Sequence, residues 1–386
     1  MKKLALIPRV RVNYSFGDLL KAFFTSEHKK EAILRCEKFF SDFFDGEYAC
    51  LTPSARDAIY EVLIRLPQKK VLVPAYTCIA VVEAVKLANK DIVYCETDAH
   101  TYNAKYVDKI TPDCIVLATH QYGLPCNIED IARKCKEAGA VLIEDCATSM
   151  GTTVNGKKTG TFGDYAVVSF NASKLYNVPP VGGALVSKNR YMIESIKKEA
   201  GWKSSNFMFK MKSMIRGLAF VVTKNNLFYR LFHYLTIESK GKLQKTEHEK
   251  PAETKTDLYS YAFSEWQAKI LYKQLQQTDY IFERRKQVFS MYDKGINNPC
   301  VKKPFMDDNA VCCRYAIQVE NRNDFYRKCQ AKGVDMDFSH CSLGCPVSYK
   351  SEHAVADRIL NLPFYINLSE KEVQKVIEVV NSIGNE

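Results

Sequence analysis

Ala166-Val-Val-Ser169-Phe-Asn-Ala-Ser-Lys174, followed by Pro179-Pro-Val-Gly182-Gly183-Ala-Leu-Val186, is the stretch that decides the fold. An apolar run enters a short polar turn that presents one lysine, and a Gly-Gly pair opens a second apolar run. Both runs have the length and the Val-rich composition of buried strands. A lysine held between two such strands is partly desolvated. Its neutral amine is then favoured, and it becomes a usable nucleophile toward an aldehyde. Upstream, Val141-Leu-Ile-Glu144-Asp145 is a third apolar run, which ends in two carboxylates.

Outward from these segments, the chain from about residue 47 to 187 alternates strand-like and helix-like runs. Residues 55–66 carry apolar side chains at helical spacing, and Lys70-Val-Leu-Val73 is a short buried strand closed by Pro74. A helix over 79–87, a strand at 92–94, a strand over 114–119, a helix over 128–138 and a strand at 141–143 follow. This βαβα rhythm predicts an α/β fold with a mostly parallel sheet and helices on both faces. In such sheets ligands bind beyond the carboxyl ends of the strands. Thr119-His120, Asp145 and the turn from Ser169 to Lys174 all fall just past strand-like runs, so they are expected on one edge.

Beyond residue 188 the pattern changes to a basic, aromatic and Met-rich stretch, and the tract 238–255 reads as a charged loop. A helix over 264–292 and a smaller α+β unit after Pro299 complete the chain. The expected division is an N-terminal segment 1–46 packing on the small domain, a large domain 47–255 containing the insert 188–255, and a connecting helix with a small domain over 256–386.

With 386 residues, 46% of them hydrophobic, the chain is long enough for a large core. The apolar start is cut short by Pro8 and Arg9, which argues against a signal peptide, and no run is long enough to cross a bilayer. A cytoplasmic protein is expected, and its 14 cysteines then read as reduced thiols. His340-Cys341 with Cys345, and the pair Cys312-Cys313, lack the spacing of a structural zinc site, so no metal is expected. The net charge of +11 favours anionic partners. No nucleic-acid-binding pattern accompanies it.

Seven segments in order resemble the DegT/DnrJ/EryC1/StrS family of sugar aminotransferases, which depend on pyridoxal 5'-phosphate (PLP). They are Val73-Pro-Ala-Tyr-Thr77, Thr119-His-Gln-Tyr-Gly123, Ile143-Glu-Asp-Cys-Ala147, Gly160-Thr-Phe-Gly-Asp164, Ser169-Phe-Asn-Ala-Ser-Lys174, Val181-Gly-Gly-Ala184 and Ile359-Leu-Asn-Leu-Pro363 with Leu368-Ser369. The resemblance implies the aspartate aminotransferase fold (type I), with a seven-stranded type of sheet sandwiched by helices and a smaller α+β C-terminal domain. It implies that Lys174 forms the Schiff base with PLP and shuttles the proton. It implies that Asp145 binds the pyridine nitrogen, with Glu144 structural on the opposite face. Ser54, Ala55 and Arg56 align with the family's phosphate-binding helix start, and Ser169 is a second phosphate ligand.

Several positions depart from the family pattern. Ala55 replaces a glycine and Arg56 a threonine, and Arg56 is expected to pair with the phosphate. Thr148 stands where a glutamine touches the ring hydroxyl. Cys78 stands where an aromatic stacks on the ring, with Tyr76 nearby in sequence. Ser260 replaces an asparagine that reaches the phosphate from the other subunit of a homodimer, and His120 is a further candidate with a structural alternative. The implied reaction moves an amino group from an amino acid, glutamate by resemblance, to a nucleotide-linked keto sugar in cell-surface polysaccharide or amino-sugar biosynthesis. The alternative is a PLP-binding protein of the same fold with another reaction or a regulatory role. The basic insert has three readings: packing, recognition of a sugar-nucleotide diphosphate, and docking on an anionic membrane.

Overall fold

A computed structural model describes residues 4–24, 31–45, 48–238, 261–338 and 343–384. Two amphipathic helices, α1 (Phe16–Phe24) and α2 (Glu31–Phe43), precede β1 (Tyr48–Thr52). Then α3 (Ala55–Arg65), β2 (Lys70–Pro74), α4 (Ile79–Leu87), β3 (Asp91–Cys95), β4 (Cys114–Thr119), α5 (Ile128–Ala138) and β5 (Val141–Asp145) alternate as the apolar periodicity requires. A two-stranded hairpin, β6 (Thr153–Val154) and β7 (Lys157–Lys158), leads to β8 (Tyr165–Ser169) and β9 (Gly183–Ser187). Caps set several boundaries. Ser54 Oγ accepts the Asp57 N–H at the start of α3, and Gly139 ends α5 in the left-handed conformation that side chains disfavour.

Seven strands form the main sheet in the order β1-β9-β8-β5-β4-β2-β3. β3, β2, β4, β5 and β8 run parallel, and β9 is antiparallel to both of its neighbours. The central strands β4, β8 and β9 are buried along their whole length, which is why they read as continuous apolar runs. The expected α/β architecture is present. Because β9 is reversed, its first residue lies on the same edge as the last residues of β1 and β8. Gly183 pairs with both Thr52 and Ser169, and Thr119 pairs with Asp145.

After the sheet come α6 (Arg190–Glu199), α7 (Phe207–Val222), α8 (Asn226–Thr236), α9 (Glu265–Leu275) and α10 (Thr278–Gly295). The helix expected over 264–292 is two helices. Gln277 leaves the helical region (φ −113°, ψ 20°), and the Thr278 hydroxyl bonds to Tyr176 Oη at 2.8 Å. This break turns α10 toward the small unit, where Arg285 donates to the carbonyls of Cys313 and Phe364. That unit holds β10 (Ala316–Gln318), α11 (Arg322–Ala331), α12 (Lys350–Ala356), β11 (Ile359–Asn361) and α13 (Glu370–Asn381), with β10 and β11 antiparallel. The described cysteines are free thiols, most of them buried.

The expectation that residues 1–46 pack on the small domain needs correction. Ile7 bridges to Val334 and Arg11 pairs with Glu372, but α1 and α2 lie elsewhere. The apolar stripe of α2, Ala32, Cys36 and Phe40, is covered by α9 and the face of the main sheet, with Phe40 5.5 Å from Phe170. Four-residue spacing puts those three side chains on one face, and the large sheet has the apolar area to cover it.

The Arg11–Glu372 pair ties the N-terminus to α13. Burial opposes ionisation of Glu372. The hydrogen bonds from Arg11, Ser369 N and Asn226 outweigh it and hold the carboxyl at about 2. A depressed carboxyl contributes stability above its unfolded pKa and loses it as pH falls toward the folded value. Glu372→Gln is therefore expected to lower the thermal midpoint near pH 7, at a cost of about 2 kcal/mol. The gap to the parent should close as pH falls from about 4.5 to about 2. A gap that stays constant with pH, measured by calorimetry, argues against this role.

Candidate active site

The carboxyl edge of the main sheet gathers the candidates. β5 ends in Asp145, which is 6% exposed and whose Oδ1 accepts the Ala147 N–H at 3.0 Å. Beyond β8 the chain turns so that Lys174 N donates to Asn171 O at 2.9 Å, and the Lys174 charge acts on Asp145. Burial raises the Asp145 carboxyl above its usual range, against the opposing pull of Lys174, the Ala147 N–H and His120. A buried carboxylate with so few donors gains from a further cationic or N–H partner.

The lysine turn is clamped from two sides. From α9, Gln274 accepts the Asn177 N–H and donates to Asn177 O. From the small unit, Cys313 Sγ donates to Ser173 O at 3.3 Å and Arg314 donates to Ser173 Oγ at 3.0 Å. Arg314 also pairs with Asp337. Sequence reasoning missed Arg314. Its only signal is a charged residue opening an otherwise apolar strand, which does not single it out.

The start of α3 meets the same edge. A Cβ on Gly183 would stand 2.5 Å from Ala55 N and 2.6 Å from the Ser54 carbonyl carbon, so the strand and the helix start touch through backbone alone. The Ala55 and Arg56 N–H groups lie in the first helical turn, where no intrahelical acceptor exists. Ser54 lies at this start, and Ser169 stands beside Gly183 in register. Arg56 reaches across to α4, where it pairs with Glu83 at 2.9 Å. Burial pushes the Asp57 carboxyl up to about 6, against the hydrogen bond with Ser54 and the charge of Arg56.

Thr148, His120 and Tyr76 each have a hydrogen-bond partner within the chain. Thr148 donates its hydroxyl to His120 O at 2.7 Å. His120 Nδ1 accepts the Cys126 N–H at 3.2 Å, so Nε2 carries the proton toward Glu144 at 3.2 Å. Glu144 also accepts the N–H groups of Gly160, Phe162 and Gly163, so it braces that turn from the face opposite Asp145. The donor atoms of His120, Glu144 and Cys146 lie within 4.8 Å of one another, but those three backbone donors already occupy the Glu144 oxygens. Tyr76 is fully buried with Tyr102 and Tyr122, its hydroxyl 2.7 Å from that of Tyr122. Cys78 is half-buried at the start of α4. Ser260, like His340 and Cys341, lies outside the described residues.

Two hydroxyls at this edge, Thr77 Oγ1 and Thr119 Oγ1, are buried without a hydrogen-bond partner among the described residues. They flank the point where strand order reverses between β2 and β4, the usual ligand crevice of such sheets. A lysine, an under-satisfied buried carboxylate, orphan hydroxyls and a helix start approached by a glycine strand fit a phosphorylated aromatic aldehyde such as PLP. Asp145 would face its ring nitrogen, Lys174 its aldehyde, and the α3 start with Ser169 its phosphate.

Comparison with known proteins identifies the family. The DegT/DnrJ/EryC1/StrS aminotransferase family matches residues 24–381. GDP-perosamine synthase of Vibrio cholerae is 32% identical over 167 residues, 42% of this chain and 45% of that protein, so the chain spans less than half of this relative. A dTDP-3-amino-3,6-dideoxy-alpha-D-galactopyranose transaminase of Aneurinibacillus thermoaerophilus is 24% identical over 90% of this chain and 89% of its own. The crystal structure of NtdA from Bacillus subtilis with bound cofactor PMP has the same fold. Its TM-score is 0.69 at 19% identity, over 98% of this chain and 85% of that one.

Two substitutions test the helix start. The folded chain keeps the Asp57 proton up to about pH 6, whereas the unfolded chain loses it near pH 4. Stability therefore falls as pH rises through that window, and above it the penalty approaches about 3 kcal/mol. Asp57→Asn, which mimics the neutral acid, should raise the thermal midpoint at about pH 7.5 and leave it unchanged below about pH 4. Gly183→Ala forces its Cβ against the Ala55 backbone, so it should destabilise by about 1–3 kcal/mol and weaken PLP binding in a spectroscopic titration. Parent-like values for either variant argue against this account of the helix start.

Proposed function

The chain belongs to the DegT/DnrJ/EryC1/StrS aminotransferase family, and from that premise we propose that it transfers an amino group from glutamate to a keto sugar carried on a nucleotide. The observation that carries the reading is the placement of Lys174 and the buried Asp145 at one sheet edge, the lysine on the turn after β8 and the carboxylate at the end of the adjacent β5. The family is PLP-dependent, and bound PLP supplies an aldehyde for the amino group and a ring that withdraws electrons from the reacting carbon.

The protein's own residues do the rest. Lys174 has a primary amine on a clamped turn, and we assign it to move the proton at the reacting carbon. Asp145 holds the proton on the ring nitrogen, because a carboxylate in that buried position favours a cationic neighbour. The N–H groups at the start of α3, with Ser54 and Ser169, hold the phosphate. Arg56 sits beside that start and, once released from Glu83, supports the phosphate charge. Sugar nucleotides as acceptors are supported by the GDP- and dTDP-sugars in the names of the relatives. A homodimer acting in the cytoplasm completes the proposal.

Glutamate added to the PLP-loaded protein should convert it to the pyridoxamine form with release of 2-oxoglutarate, followed by absorbance and mass spectrometry. Lys174→Ala should keep its far-UV circular dichroism and lose about 10³-fold or more of that rate. A chain that binds PLP and never transfers the amino group would favour a regulatory role. One that binds no PLP overturns the proposal.

A further inference from the structure

Residues 200–237 contain no Asp or Glu between Glu199 and Glu238, and they carry six Lys or Arg. This stretch holds α7 and α8, and both helices have one face already committed. The buried side of α7, at Ser213, Met214 and Gly217, lies against α1 and Pro179; a Cβ on Gly217 would stand 3.1 Å from Pro179 and 3.2 Å from Leu19. The buried side of α8 is docked on the small unit, where Tyr229 Oη donates to Asp335 and His233 is enclosed near Tyr326.

The opposite faces are apolar as well. On α7, Met208, Lys212, Ile215, Ala219 and Val222 follow a four-three-four-three spacing, so they form one exposed stripe, with Phe207 and Arg216 at its border. On α8, Leu227, Phe228, Leu231, Phe232 and Tyr234 are exposed. Exposure of the large apolar side chains in these two groups runs from 46% to 70%. A surface helix normally turns polar residues outward, and a contiguous apolar face marks a contact. Ring contacts from Phe207 to Phe23, and from Phe23 to the 75% exposed Phe24, carry the patch onto α1.

The charge pattern selects the occupant. In a two-fold contact of this face on itself, Lys212 and Arg216 would meet their own copies with no carboxylate on either helix to receive them. A bilayer containing anionic lipid offers apolar depth for Ile215, Phe228 and Leu231 and phosphate charge for the two cations at once. Neither helix is long and apolar enough to cross it, so both would lie in the interface plane. We propose that α7 and α8 form a docking face that seats the enzyme on an anionic membrane surface. This is independent of the amino acceptor, and the enzyme would remain active in solution.

The test is sedimentation of the full-length protein with vesicles of phosphatidylcholine alone and of phosphatidylcholine with about one quarter phosphatidylglycerol. Binding should be strong only to the anionic vesicles and should weaken with salt. The triple variant Ile215→Asp, Phe228→Asp, Leu231→Asp should lose about tenfold or more of that partition. Lys212→Glu with Arg216→Glu should lose about fivefold per cation. Both should retain the parent's circular dichroism and amino-transfer rate, since the altered side chains point outward. Failure of the parent to bind either vesicle overturns the proposal, and so does binding that neither variant alters. A parent that ignores vesicles and whose dimer, measured by light scattering, falls to monomers in the triple variant would assign the face to self-association instead.

Discussion

Two adjacent buried carboxylates at the end of β5 are the constraint on which the site depends. Burying a carboxylate costs several kcal/mol unless it is hydrogen-bonded or paired. Strand alternation sends Glu144 and Asp145 to opposite faces, and the protein compensates them unequally. Glu144 receives three backbone N–H groups and the proton of His120, so its charge is spent on holding the 160–163 turn. Asp145 receives one backbone N–H and the more distant charge of Lys174. The first carboxylate is structure, and the second is left in need of a partner. That asymmetry leaves the edge suited to a ligand.

The layers of the fold were legible where local sequence carries the physics. Val-rich runs, turn residues and the spacing of Asp145 and Lys174 are short-range signals, and strand register then places both on one edge. What was not legible depends on packing between distant segments. Arg56, at a helix start, also lies close enough to Glu83, 27 residues on, to pair with it, a contact that its local context does not announce. The Thr148 hydroxyl reaches the His120 carbonyl, 28 residues back in the chain. Tyr76 was a ring-stacking candidate by proximity in sequence, whereas the cluster of Tyr102 and Tyr122 buries it. The break between α9 and α10 left no Pro or Gly to read, because polar contacts at Thr278 make it.

The small unit takes part in the site through α10. Burial lowers the pKa of the Arg285 guanidinium, and its bonds to the carbonyls of Cys313 and Phe364 pin the segment that precedes β10. That pinning is what brings Cys313 and Arg314 onto Ser173, one residue before the lysine. The position of Lys174 is therefore set by three separate elements: its own turn, Gln274 on α9, and a loop of the small unit. A primary amine assigned to move a proton between two fixed atoms would need such over-determination, because a misplacement of about 1 Å costs roughly a hundredfold in rate.

The same linkage relates the site to the exposed helices. α7 rests on α1 and on Pro179, which closes the lysine loop before β9, while α8 rests on Asp335 and Tyr326 of the small unit. The acid-free face thus has one helix on each unit, and the residues it presses against lead within a few contacts to the segments that hold Lys174. Asp335 marks one end of this path. It takes hydrogen bonds from Tyr229 and Tyr326, and its backbone N–H donates to Ile7 O of the N-terminal segment. Four residues on from Ile7, Arg11 pairs with Glu372 and with Asn226 at the start of α8. The N-terminal segment that sequence reasoning assigned wholly to the small domain is better described as a strap. It joins α8, α13 and the large sheet, so the outer helices and the Lys174 edge share one mechanical frame.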